Sequence, residues 1–168
     1  MAKFDIDLCF NIGLKKGGFM KKYKINDNTL ALIPLNKHKT VAYEDHNYYI
    51  IDDKVSSVLN ENCEYYGSSV SGRLKGSYSL MGFSYKTPIV VSEQDNMIFF
   101  PTSSPRLNDC SWINVNNIRS IDKNDKKTTI IFTNGEEIEI EASYNIIKNQ
   151  YFKSLQLNSA LKNRKNDK

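Results

Sequence analysis

Thr128 to Phe132 is rich in β-branched and aromatic residues. The run breaks at Asn134-Gly135 and resumes as Glu136–Glu141, where Ile138 and Ile140 alternate with glutamates. Such a segment reads as an antiparallel hairpin, because Asn-Gly is the pair that best accepts the positive φ required at both central positions of a type I′ turn. A two-residue turn also sets the register. It places Ile131 opposite Ile138 and Thr129 opposite Ile140 on one face, which is expected to be buried. Phe132 opposite Glu137 and Ile130 opposite Glu139 form the other face, expected to be partly wet.

The same β character runs through much of the chain. Thr29–Ile33 is a strand stopped at Pro34, since proline cannot donate to a ladder. Thr40–Tyr43 and Tyr48–Ile51 flank a polar Glu44–Asn47 turn. Pro88–Val91 and Met97–Phe100 flank a second turn at Ser92–Asn96, and Ile118–Ile121 is a further short strand. Residues 53–60 read as a short helix with Val55, Val58 and Leu59 on one side and Asp52 or Asp53 as N-cap. A second helix begins near Ser143, with Tyr144, Ile147, Tyr151 and Leu155 as its apolar stripe and frayed residues from Lys162 to Lys168. The expected class is therefore α+β, mostly antiparallel β with a short internal helix and a C-terminal helix.

A chain of 168 residues is the size of one domain and buries a core without covalent staples. Cys9, Cys63 and Cys110 are odd in number and widely spaced, which excludes a disulfide framework and suits a reducing, cytoplasmic setting. No run approaches the roughly 18 apolar residues of a membrane span. The net charge of +4 permits an anionic partner without requiring one.

The first 19 residues carry two readings. Phe4, Ile6, Leu8, Phe10, Ile12 and Leu14 alternate with mostly polar residues, as in a half-buried strand. Alternatively, Lys15-Lys16-Gly17-Gly18 is what an AAGGAGG ribosome-binding run spells when translated in frame, and Met20 is then the start. The expected division is an extra segment over 1–19, one domain over 20–160 and a basic tail over 161–168.

The chemistry-bearing motifs are few. Residues 65–92 contain no acid, seven serines, Gly67, Gly72, Gly76 and Gly82, and the bases Arg73, Lys75 and Lys86. Tyr65, Tyr66, Tyr78, Phe83 and Tyr85 are interspersed. Small donors, aromatic rings and positive charge suit a phosphate backbone, although the same composition also describes a plain Gly/Ser loop between strands. Gly67–Leu74 fails as a P-loop, for Arg73-Leu74 stands where Lys-Ser/Thr is needed. GxSxG fails because Ser71 replaces the second glycine. His38 and His46 read as solvent-facing loop residues, and Cys63 and Cys110 as core residues. No spacing suggests a metal site, and Glu136, Glu137, Glu139 and Glu141 read as a solvated hairpin edge. No two adjacent helical patterns joined by a short turn are visible, so a helix-turn-helix is not expected. An enzyme is not expected, and no cofactor is called for.

Longer words point to a family. Cys63-Glu-Tyr-Tyr-Gly67-Ser68-Ser69, Gly72-Arg73, Gly76, Tyr78, Lys86-Thr-Pro88-Ile89, Ile98-Phe99-Phe100-Pro101-Thr102-Ser103 and Cys110-Ser-Trp112-Ile113 occur in order. Phe132-Thr-Asn134-Gly135, Ser143-Tyr144-Asn145 and Asn149-Gln150-Tyr151 follow. Over residues 22–155 the chain resembles the ComK competence transcription factors. The resemblance implies a cytoplasmic DNA-binding activator of competence genes, for DNA uptake and recombination, that recognises double-stranded AT-rich promoter boxes largely through the minor groove. It also implies a homodimer or higher oligomer on DNA and regulation by an adaptor and protease, the latter weakened here by a short C-terminal tail. A diverged paralogue, or a β-rich protein-interaction module without DNA binding, is the alternative. The DNA-contacting residues expected are Arg73, Lys75, Ser68, Ser69 and Lys86, with Arg73 foremost because a guanidinium enters a narrow, negative groove at low desolvation cost.

Overall fold

A computed structural model describes residues 15–167. Its strands are β1 (Lys15–Met20), β2 (Thr29–Pro34), β3 (Thr40–Glu44), β4 (Asn47–Ile51), β5 (Ile89–Ser92), β6 (Met97–Pro101), β7 (Trp112–Asn114), β8 (Ile118–Asn124), β9 (Lys127–Phe132) and β10 (Glu137–Ile140). Three α-helices join them: α1 (Val55–Tyr65), α2 (Val70–Met81) and α3 (Tyr144–Asn166). The class is α+β, as the sequence indicates. The alternation over residues 1–14 and Cys9 lie outside the described residues.

A seven-stranded sheet runs in the order β1-β4-β3-β2-β7-β6-β5, and a three-stranded sheet in the order β10-β9-β8. The β1–β4 pair is parallel and the other neighbours are antiparallel. The large sheet is covered on both faces, which is why all six residues of β2 are buried. On one face Leu32, Ala42, Phe99 and Trp112 meet Val55, Val58, Leu59 and Cys63 of α1. On the other, Tyr43, Tyr48, Phe100 and Ile113 meet Ile130 and Phe132 of the small sheet and Ile147 and Leu157 of α3.

Three expectations are corrected. The β9–β10 loop has three residues, not two. Gly135 N–H donates to Phe132 C=O at 3.0 Å and Phe132 N–H to Glu136 C=O at 2.8 Å. Gly135 has φ 88°, whereas Asn134 is not in the left-handed region. This is a type I turn closed by a glycine bulge. The register therefore shifts by one: Ile138 lies opposite Ile130 and Glu137 opposite Ile131. Thr128, Ile130 and Phe132 are buried, while Thr129 and Ile131 share the outer face with Glu139 and Glu137.

The second correction concerns the helices. α1 starts after Lys54 with no side-chain cap, and Asp53 accepts a bond only from Lys54 N–H, at 2.8 Å. There are two internal helices rather than one, as described below. The third concerns α3. Its buried stripe is Ile147, Gln150, Ser154, Leu157 and Leu161, and Leu155 is exposed. The helix continues to Asn166, where Arg164 pairs with Glu93 at 3.2 Å.

Cys63 and Cys110 are free and buried. Burial pushes the Cys63 thiol from 9.0 up to about 11, and raises that of Cys110. A folded-state pKa above the unfolded one gives stability that is complete below pH 9.0 and declines as pH rises through about 11. Denaturant midpoints are expected to fall across this window, and Cys63→Ala is expected to flatten the fall. Identical pH profiles for wild type and variant would show that Cys63 does not drive it.

Candidate nucleic-acid interface

α1 ends in a Schellman motif. Ser68 N–H donates to Cys63 C=O and Gly67 N–H to Glu64 C=O, both at 2.9 Å, and Gly67 takes φ 78°. α2 begins at once. The Ser69 hydroxyl accepts Gly72 N–H at 3.0 Å, and Asn60 of α1 accepts Val70 N–H at 3.0 Å. Gly82 closes α2 with φ 71°. Residues 65–92 thus hold a helix where a Gly/Ser loop or plain turn was one reading, and α1 and α2 are joined by a four-residue turn, Tyr66–Ser69. Gly72 and Gly76 hid α2, as glycine is about 1 kcal/mol poorer than alanine in a helix. The visible signal was a glycine closing one helix, a serine cap two residues on, and a glycine at position 82.

The five expected residues fall on this unit and the loop after it, in different roles. Lys75 is exposed on the outer face of α2, with Ser71, Gly72, Gly76, Tyr78 and Ser79. Arg73 is half-buried, and its Nη2 donates to Tyr66 C=O at 3.0 Å, which ties α2 to the turn. Ser69 is the cap. Ser68 packs so closely that a β-carbon on Gly72 would lie 2.7 Å from its Oγ. Lys86 sits in the loop beyond α2, in a left-handed conformation with φ 46°.

Sequence reasoning missed the partner of that loop. Gln150 of α3 is 2% exposed, and its amide donates to Lys86 C=O at 2.5 Å and to Pro101 C=O at 3.0 Å. One turn along, Lys153 Nζ donates to Tyr85 C=O at 2.9 Å and lies 5.4 Å from the Phe83 ring. Lys86 Nζ lies 5.2 Å from the Tyr85 ring. Burial, then the nearby Lys86 ammonium, hold the Lys153 pKa below its usual value. Among the described residues, Lys75, Lys86 and Lys153 form no salt bridge with a carboxylate. Two ammoniums set among aromatic rings without a counter-ion suit an anion with planar groups. The exposed Tyr65, with Lys24 Nζ 4.2 Å from its ring centroid, adds a similar pair at the end of α1.

The charge on the hairpin edge lies elsewhere. Glu137, Glu139 and Glu141 are exposed, and Glu139 pairs with Lys127 at 2.6 Å. Asp45, His46 and Glu136 are brought together from the β3–β4 and β9–β10 turns, their ligand-type atoms within 4.8 Å of one another. Such a set could hold a divalent ion. As arranged, the His46 ring lies 3.0 Å from Glu136 and 3.3 Å from Asp45, and the Asn134 amide donates to both carboxylates, at 2.9 and 2.7 Å. That is a latch between the two sheets, built from residues some 90 apart in sequence.

The ComK protein family model matches residues 20–166. The chain belongs to the ComK protein family. It is also similar to a competence transcription factor of Bacillus subtilis (strain 168), 27% identical over 149 residues, which span 86% of this chain and 78% of that protein. No solved structure matches. The family's matched span takes in the α1–turn–α2 unit, the Phe83–Lys86 loop and α3, so the residues assembled above all lie within it. No described helix is long and apolar enough to cross a membrane.

Proposed function

We propose that this ComK-family chain is a transcriptional activator of competence genes that binds AT-rich double-stranded promoter DNA. Its contact surface is the outer face of α2 with the Phe83–Lys86 loop and Lys153. The observation that carries the proposal is the set of lysines, Lys75, Lys86 and Lys153, that have no carboxylate partner on an acid-free stretch of surface. Small residues on α2 let the backbone come close to a groove wall, and the lysines meet phosphates. Arg73 orients α2 from behind through Tyr66. A net charge of only +4 means modest affinity per protomer, so two protomers on paired boxes gain through effective concentration.

Two grooves are open to such a surface. AT-rich minor grooves are narrow and negative, and lysine or arginine is drawn into them. The order α1–turn–α2 instead favours a second reading, with α2 in the major groove as in a helix-turn-helix. One experiment tests both. Gel shifts across a salt series on an AT-rich duplex are expected to give a steep, linear fall of log affinity with log salt. The same box is then remade with I·C pairs, which keep the A·T pattern in the minor groove and present the G·C pattern in the major groove. Retained binding supports the minor groove, and lost binding supports the major groove. No salt-dependent binding to either duplex would leave the protein-interaction module standing instead.

A further inference from the structure

We propose that the crevice between α2 and α3 is a binding site for a small carboxylate with an apolar body. Arg73 and Ser77 lie one helical turn apart and therefore on one face of α2, and both line this crevice of about 160 Å³. Arg73 Nε and Ser77 Oγ are buried and have no hydrogen-bond partner. Ser77 is only 3% exposed, so its hydroxyl has no route to bulk water. Buried donors are satisfied in the great majority of cases, and two open ones on successive turns mark a place where an acceptor belongs. Arg73 cannot swing away to solvate itself, because its Nη2 is held by Tyr66 C=O at 3.0 Å.

The rest of the lining selects the ligand. Leu80, Val90, Leu157 and Leu161 supply an apolar wall. Of the charged groups at the crevice, Arg164 is neutralised by Glu93, and the Arg73 guanidinium is left without a counter-charge. A single unpaired positive charge beside an apolar wall fits a monoanion. An inorganic phosphate would lose hydration against the leucines and gain only the two donors. A cavity of about 150 Å³ takes a benzene-sized molecule. A carboxylate accepts from Arg73 Nε–H and the Ser77 hydroxyl at once, and its body covers the leucine and valine side chains.

The test uses benzoate on the full-length protein, read by the Arg73 Nε–H resonance and the Leu157 methyl resonances. Saturable shifts at both, with millimolar affinity, are expected. Neutral benzamide and inorganic phosphate are expected to bind at least about tenfold more weakly. Ser77→Ala is expected to lose about tenfold. Gly76→Leu is expected to block binding while keeping the fold, because a side chain at Gly76 meets open space and leucine is the better helix former. No saturable shift, equal binding of benzamide, or unchanged affinity in both variants would overturn the proposal and leave a buried water as the partner of the two donors. Binding is read on the protein alone, so the result is separate from whether the outer face of α2 meets DNA.

Discussion

Ile130→Asp is expected to unfold the protein, and Ile131→Lys to leave it folded. The two residues are neighbours in β9, yet Ile130 is fully buried with Phe132 and Ile147, whereas Ile131 lies on the outer face opposite Glu137. A carboxylate at position 130 has no partner in that core, and burial of an unpaired charge falls at the extreme of single-residue effects, above about 4–5 kcal/mol. A domain of this kind has about 5–15 kcal/mol in total, so one such change removes most or all of it. Lysine at position 131 instead meets Glu137 across the ladder, where opposite charges contribute ~0.2–1 kcal/mol. Phe132→Ala should cost about 3–5 kcal/mol for the same reason as Ile130. Circular dichroism and urea midpoints decide. If Ile131→Lys unfolds the chain and Ile130→Asp keeps the wild-type midpoint, the hairpin has the register of a two-residue Asn-Gly turn.

The second large effect concerns DNA. The triple variant Lys75→Glu, Lys86→Glu, Lys153→Gln is expected to bind the AT-rich duplex about a hundredfold more weakly, a loss of ~2.8 kcal/mol. Each lysine that meets a phosphate contributes about one unit to the salt slope, so the slope should fall by about three. Glutamine at position 153 keeps a donor for Tyr85 C=O while removing the charge. None of the three lysines belongs to the hydrophobic core, so the urea midpoint should stay near wild type. Lys126→Glu, on the exposed β8–β9 turn beside the acidic hairpin, is the control and should leave affinity nearly unchanged. A folded triple variant with the wild-type affinity and slope would remove this surface from the interface.

Arg73 shows how far the candidate site could be read before folding. Its place in an acid-free stretch beside Gly72 marked it as special, and that stretch does form one structural unit. What the residue types alone did not reveal is direction. Helical geometry turns Lys75 outward and turns Arg73 and Ser77 toward α3. Lys153 and Gln150 had no local signal at all. They matter because α3 packs against a loop some 64 residues earlier, and only that packing sets the Lys153 ammonium near Lys86.

Short-range chemistry by itself determined the strands. β-branched and aromatic runs closed by turn residues marked β2, the β3–β4 and β5–β6 hairpins, β8 and the β9–β10 hairpin, and with them the α+β class. Tertiary structure decided the rest, wherever local preference was weak or balanced. The β9–β10 loop could close with two or three residues; in the fold Thr133 N–H donates to Asn117 C=O at 2.9 Å and Asn134 bridges to Asp45, and these distant partners accompany the three-residue form. α2 has poor helix formers, and caps from its own turn, Asn60 of α1 and packing on the core make it a helix. The buried face of α3 rotates to place Gln150 inside, since its amide has two carbonyls to satisfy there. A turn or a strand is specified within a few residues, but the face a helix buries depends on which elements arrive to cover it.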